Sequence, residues 1–308
     1  MAIGIGFALW HLFVSRSLPW LGIVIALLPE LLFFVRLFLH PVARISHNLY
    51  GLLVAAAIGA SFSLIVPSSS SVPFVLSLLV GIGGGSLYIF WYSRLDRPEN
   101  DQLVVGQSLP RFTVMDADGK AIVSDTFKGR PLLLLFFRGN WCPLCMAQIW
   151  EVAPQYRALD ARGVRVALFS PQSHENTRTL AQRFDVPMEF YTDSSNSAAR
   201  ALKINHDDGL PEGLQVLGYD SDTVFPTVIM ADAGGRIVFA DLTDNYRVRL
   251  KPDVFFRVLD RSYCIAILYN HISCLKLENN LKDSLMRLSR NQYQRVIYTQ
   301  LQIARNDQ

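Results

Sequence analysis

Charge is scarce in this chain. Of its 308 residues only 18% are charged, against 51% hydrophobic. The scarcity is concentrated at the front: from Met1 to about Tyr92 the sequence is mostly Leu, Ile, Val, Phe, Ala and Gly, whereas from Arg94 onward charges recur every few positions. Four cysteines are too few for a disulfide scaffold. The six histidines, His11, His40, His47, His174, His206 and His271, form no close pair of the kind that completes a four-ligand zinc site. Met1 to Val14 is apolar but has no basic residues ahead of it and no small-residue cleavage site behind it, so it reads poorly as a secretory signal. The tail from Ser262 to Gln308 contains neither glycine nor proline, and Leu281, Leu285 and Leu288 share one helical face, which predicts an appended helix.

What is present at the front is length in apolar runs. Leu18 to Leu39, Leu49 to Val66 and Val72 to Tyr92 are each about long enough to cross a hydrocarbon layer, which takes roughly 20 helical residues and tolerates about 17. Residues 1–96 are therefore expected to be a membrane region with three or four spans, Met1 to Val14 being the fourth candidate. Arg36 and Arg44 lie at and beyond the end of the first of these spans and Arg94 and Arg97 follow the last, while the intervening loop "PSSSSVP" (67–73) carries no charge. By the positive-inside tendency the arginine-bearing side is cytoplasmic, and the chain beyond Arg97 lies on that side. Glu30, after Pro29, is a charge in an apolar run: either a functional group or a side chain turned toward a neighbouring helix. Gly81, Gly83, Gly84 and Gly85 suit close helix packing better than phosphate binding.

From Leu103 to about Asp260 strand and helix signals alternate. "PLLLLFF" (131–137) and "RVALF" (165–169) are continuous apolar runs of the kind a buried parallel strand shows, and Pro143 to Ala161, Glu175 to Phe184 and Asn196 to Leu202 carry helical spacing. Thr227 to Met230 and Arg236 to Ala240 flank "ADAGG", a hairpin signal, and a last helix is expected near Pro252 to Leu259. The link Lys203 to Thr223 shows no element of its own. Together these predict a small α/β domain with a mixed central sheet.

Within it, "FFRGNWCPLCMAQIWEV" (136–152) runs an apolar strand into two cysteines and then a helix. A CxxC at such a junction is where thiol chemistry is served best, because the N-terminus of the helix supplies partial positive charge and unpaired N–H groups to a thiolate. Cys142, with Arg138 four residues earlier, reads as the nucleophile and Cys145, one turn on, as the resolving thiol; Pro143 fits the first helical turn. Half a metal site, or two buried small residues beside Trp141, are the competing readings. Cys264 and Cys274 read as ordinary thiols.

"LPRFTVMDADGKAI" (109–122), "LLLLFFRGNWCPLC" (132–145), "VRVALFSPQ" (164–172) and "FPTVIMADAGGRIVF" (225–239) resemble the AhpC/TSA (alkyl hydroperoxide reductase/thiol-specific antioxidant) redoxin family, the peroxiredoxin-like branch of the thioredoxin fold. The resemblance covers about half of the chain. It implies an α/β thioredoxin-like domain over 103–260, a redox-active disulfide between Cys142 and Cys145, and a cis-proline at Pro226 that would present the Phe225 backbone to a substrate. Tyr246 and Arg247, in "ADLTDNYRVR" (240–249), match a segment that approaches the thiols or a partner in relatives.

The sequence also departs from the family. Where peroxiredoxins carry Thr or Ser three residues before the peroxidatic cysteine and Pro seven before it, this chain has Gly139 and Leu135; no arginine occurs between Arg200 and Arg236; and the buried Asp of thioredoxins is Phe136 here. The expectation is a membrane-anchored thiol–disulfide oxidoreductase acting on protein or small-molecule thiols and disulfides, in a membrane of the bacterial inner type, with the domain cytoplasmic (alternatively periplasmic). A thiol peroxidase using the same cysteines on hydroperoxides is the alternative. A membrane-tethered copper carrier that adds a histidine such as His206 to the cysteines is a third reading, of another class. No cofactor and no nucleic-acid partner is implied.

Overall fold

The computed structural model describes residues 1–260 apart from Pro41, His47 and Ser69; the predicted helix over 262–308, with Cys264 and Cys274, lies outside the described residues. The described chain divides into two compact units. One comprises Met1–Arg97, Trp141–Trp150 and Thr243–Arg249, and the other comprises Pro98–Asn140, Glu151–Leu242 and the chain from Leu250 onward.

The first unit is helical: α1 (Ala2–Val14), α2 (Leu21–Leu39, led in by a 3-10 turn at Leu18–Trp20), α3 (Tyr50–Ile65) and α4 (Val72–Tyr92). Leu18–Leu39 and Val72–Tyr92, with 22 and 21 residues, are long and apolar enough to cross a membrane. Of the three expected spans, the middle one falls short: α3 has 16 residues, about 24 Å at 1.5 Å per residue. Two of the helices meet backbone to backbone. A methyl group added at Gly22 of α2 would collide with Ser63 and with the carbonyl of Gly59 in α3, and one at Gly59 would collide with that of Gly22; the Ser63 hydroxyl donates to the Pro19 carbonyl at 2.8 Å. Small residues are what lets the two backbones approach so closely. Gly81 and Gly85 of α4 play the same part, a Cβ at Gly81 lying 3.1 Å from Ala56 and one at Gly85 lying 2.6 Å from the Glu30 carboxylate, whereas Gly84 meets nothing. Glu30 is buried. Around these glycines α4 relaxes into two π-helical stretches, Ser77–Gly83 and Leu87–Tyr92.

The second unit holds a seven-stranded mixed sheet in the order β2-β1-β5-β4-β3-β8-β9. Its strands are β1 (Thr113–Met115), β2 (Ala121–Val123), β3 (Leu132–Phe136), β4 (Arg165–Ser170), β5 (Glu189–Thr192), β8 (Thr227–Ala231) and β9 (Ile237–Asp241). β3 runs parallel to β4 and antiparallel to β8, and β4 is parallel to β5. With a neighbour on each edge, every residue of "LLLLF" is buried, which is why β3 reads as an unbroken apolar run. Register aligns Phe136 with Phe169 and Phe169 with Tyr191, and their rings stack at 4.6 and 5.2 Å. At the rim of this stack Arg165 lies 4.7 Å over Phe127 and donates to both oxygens of Glu189 at 2.8 Å.

The chain leaves β3 into α5 (Pro143–Val152), passes a 3-10 turn (Ala153–Gln155) and resumes in α6 (Tyr156–Asp160). The sequence pattern predicted one helix over Pro143 to Ala161; Pro154, which has no N–H to donate, divides it. α7 (His174–Ala181) and α8 (Ser197–Ala201) follow β4 and β5, and the final described helix covers 252–260. The link Lys203 to Thr223, read as having no element, is tied at its ends by a small antiparallel ladder of β6 (Asn205–His206) and β7 (Thr223–Val224) and carries a 3-10 turn at Leu214–Leu217. Two-residue strands leave no periodic trace to read.

Candidate active site

The approach to the cysteines is built from the end of β3. Phe137 still pairs with β4 through its N–H to the Phe169 carbonyl at 2.9 Å. Beyond it Gly139 adopts φ 150°, in the positive-φ range that residues with a Cβ avoid. This is where peroxiredoxins carry Thr or Ser, so the absence of a hydroxyl goes with a backbone path that a side chain would strain. The next residue is held firmly. The Asn140 N–H donates to Gln172 Oε1 at 2.8 Å, and Gln172, itself buried, uses Nε2 on Thr177 Oγ1 at 3.3 Å. Tyr219 donates its hydroxyl to Asn140 Oδ1; burial pushes the Tyr219 hydroxyl above its ordinary pKa and keeps it a donor. Arg138 is engaged at both ends, its guanidinium donating to the Gly209 carbonyl and its own carbonyl accepting from Thr223 Oγ1 at 3.0 Å. Its guanidinium therefore fastens the long link to the strand end.

Cys142 caps α5. Its carbonyl accepts the Met146 N–H at 3.0 Å, the first bond of the helix, and its Sγ accepts the Cys145 N–H at 3.4 Å. This is the N-cap arrangement of Ser or Asp with sulfur as the acceptor. Pro143 occupies the first helical position, where no N–H is required. Cys142 is 3% and Cys145 1% exposed, with Trp141 and Pro143 half-buried beside them.

Pro226 departs from expectation. Among the described residues no peptide bond is cis, so the Phe225–Pro226 bond is trans and the cis-proline reading is corrected. The reason is local: the chain continues extended from β7 into β8, with the Phe225 N–H on the Ile204 carbonyl at 2.8 Å and the Phe225 carbonyl accepting from Thr227 Oγ1 at 2.7 Å. The Phe225 ring stacks on His206 at 4.4 Å. Among the described residues no three of the His, Cys, Asp and Glu side chains gather into a metal-holding group.

Tyr246 and Arg247 sit in the helical unit. The Tyr246 hydroxyl donates to that of Tyr88 at 2.9 Å and its ring meets Tyr92 edge-on at 5.8 Å. Arg247 is buried, donates Nη1 to the Ser46 carbonyl at 2.9 Å and lies 5.7 Å over the Tyr88 ring. Burial raises the pKa of Tyr246 and lowers that of Arg247. The predicted site residues thus fall in two groups: Trp141, Cys142, Pro143, Cys145, Tyr246 and Arg247 in the helical unit, and Arg138, Phe225 and Pro226 in the sheet unit. Sequence reasoning missed Gln172, Tyr219 and Thr223, which position the strand end. Gln172 closes the stretch "VRVALFSPQ" just past a buried strand, and that placement was the one available signal.

Residues 105–240 match the model of the AhpC/TSA family. Among curated proteins, a chloroplastic peroxiredoxin Q of Populus jackii is 28% identical over 109 residues, 35% of this chain and 48% of that protein. The thiol-disulfide oxidoreductase ResA of Bacillus cereus is 24% identical over 168 residues, 53% of this chain and 82% of that protein. The chain spans about half the length of the peroxiredoxin Q relatives it matches. Among solved structures, AhpC of Enterococcus faecalis aligns at TM-score 0.45 and 15% identity, covering 56% of this chain and 98% of that one; a thiol peroxidase of Chromobacterium violaceum aligns at 0.42 and 16%, covering 55% and 90%. Residues 105–240 are accordingly similar to the AhpC/TSA family, and their strands form the seven-stranded mixed sheet described above.

Proposed function

We propose that the protein is a membrane-anchored thiol oxidoreductase in which Cys142 and Cys145 alternate between dithiol and disulfide. The observation that carries this reading is the cap: Cys142 Sγ receives the Cys145 N–H at the positive end of α5, a setting that favours a thiolate there over one at Cys145. In exchange, the Cys142 thiolate attacks one sulfur of a substrate disulfide and displaces the other as a thiolate, which takes up a proton. The Cys145 thiolate then attacks Cys142 and releases the second substrate thiol. The substrate gains two electrons and two protons, and the pair closes as a disulfide.

Residues 1–96 act as the anchor of the 103–260 domain. Supporting this are the two helices of 22 and 21 residues and the large apolar side chains they leave exposed, Leu32, Phe38, Leu79 and Leu87 among them. The arginines Arg36, Arg44, Arg94 and Arg97 favour a cytoplasmic domain.

A second reading, peroxide reduction, gains from the trans Pro226. The Phe225 N–H is already spent on the Ile204 carbonyl, and thiols this buried admit a small oxidant more readily than a protein. Against it stands Gly139, which offers no hydroxyl to orient a peroxide. Stopped-flow oxidation of the reduced full chain in detergent decides the order. Disulfide exchange predicts rapid reaction with a small disulfide, slow reaction with hydrogen peroxide, and loss of both in C142S. A peroxide rate far above that of an ordinary thiol, lost in C142S and kept in C145S, reverses the assignment.

A further inference from the structure

The segment Thr243–Arg249 is stitched to chain just beyond two of the apolar helices. Leu95 donates its N–H to the Asp244 carbonyl, Tyr246 to the Ser93 carbonyl and Ile45 to the Arg247 carbonyl, at 3.0 to 3.2 Å, and the Arg97 N–H reaches Asp244 Oδ1 at 2.8 Å. Arg249 ends this segment, 4% exposed. Its Nη1 donates to the carbonyls of Val248 at 2.9 Å and Asn245 at 3.5 Å, which pins one corner of the guanidinium. The opposite edge, Nε and Nη2, is buried and has no hydrogen-bond partner among the described residues. The two nearest acids in sequence are otherwise engaged, Asp253 by Arg257 at 3.0 Å and Asp244 by the backbone of Arg97.

A guanidinium does not shed its proton in proteins, so this charge cannot be relieved as a carboxyl or an imidazole would relieve it. A buried charge without a partner is strongly unfavourable. The open edge is also the one that offers two parallel N–H donors to two oxygens of a phosphate or carboxylate. We propose that Arg249 is the binding residue for a phosphate-type oxyanion, held side-on through Nε and Nη2. The membrane anchoring proposed above supplies one source, the headgroup phosphate of an anionic lipid, because the strands of chain paired with this segment follow directly on Leu39 and Tyr92, where apolar helices end. A free phosphate is the other source, and it does not depend on that reading.

The test uses the full chain in a maltoside detergent, its thermal midpoint followed against inorganic phosphate in one arm and short-chain phosphatidylglycerol in the other, with sodium chloride at matched ionic strength as reference. A saturable rise in the lipid arm alone identifies the headgroup, and a rise in the phosphate arm the free ion; either supports the site. R249M is expected to abolish the rise. R249K, which keeps the charge but not the fork, is expected to weaken binding about tenfold and serves if R249M does not fold. No rise beyond chloride in either arm, or the same affinity in R249K as in the parent, overturns the proposal. A chain that needs no detergent would remove the membrane reading and leave the phosphate arm standing.

Discussion

At Gly139 the backbone, at φ 150°, decides more than the missing hydroxyl does. G139S restores the peroxiredoxin residue type but forces a Cβ into a positive φ, so it is expected to lower stability by about 1 kcal/mol or more without raising the peroxide rate; melting and stopped-flow traces of the same preparation check both. Gln172 is the residue to remove for the opposite lesson. Q172L leaves the half-buried Asn140 N–H without its acceptor, a loss of about 1 kcal/mol, and is expected to slow oxidation of Cys142 by loosening the turn ahead of it. Tyr191 sets an alkaline limit. Burial, then its hydrogen bond to Glu189, raises its pKa above the ordinary 10.0. Above that pH the unfolded chain gives up a proton that the folded one keeps, so stability present below pH 10 falls as pH rises further, and Y191F should flatten the decline in denaturant midpoints. The position of the cysteine pair at the end of β3 and the start of α5 could be read from the sequence, because an apolar run followed by a proline marks that junction. Gln172 and Tyr219 could not, since what defines them is a partner 32 and 79 residues away.

Among the elements, the buried strands β3, β4 and β8 show in the sequence because both faces are covered and each carries a run of at least four apolar residues. β1 and β2, three residues each with partly exposed faces, and the two-residue β6 and β7 are fixed by pairing rather than by pattern. The glycines of the helical unit separate in the same way. Composition alone made Gly81, Gly84 and Gly85 equivalent, whereas the packing uses the first and last and leaves Gly84 open. Accordingly G22V should disrupt the α2–α3 crossing at a cost of about 1–3 kcal/mol or more, while G84A should be neutral or slightly stabilising. Detergent-resistance or thermal-shift assays on the two variants read the contrast directly; equal effects would mean the helices do not meet at Gly22 and Gly59.

For the whole molecule, membrane insertion and sidedness go together. In a cysteine-free background S70C, in the uncharged loop after α3, is expected to react with an impermeant thiol reagent on intact cells, and D118C only after lysis; both positions are exposed. The reverse pattern would put the redoxin domain outside. Nothing in the sequence told that Tyr246 and Arg247 pair with Tyr88 and Ser46, 158 and 201 residues away, because a contact of that range leaves no local signature. It does, however, change what the protein can be cut into. The chain leaves the sheet unit twice, at Trp141–Trp150 and at Thr243–Arg249, to complete the helical one. A gene fragment beginning at Leu103 would encode Tyr246 and Arg247 without the Tyr88 and Ser46 they bond to, and a fusion that kept the helices but swapped the redoxin would lose the same bonds from the other side. Recombination would have to carry both halves together, so relatives that possess these N-terminal helices are expected to have inherited them with the sheet unit as one piece.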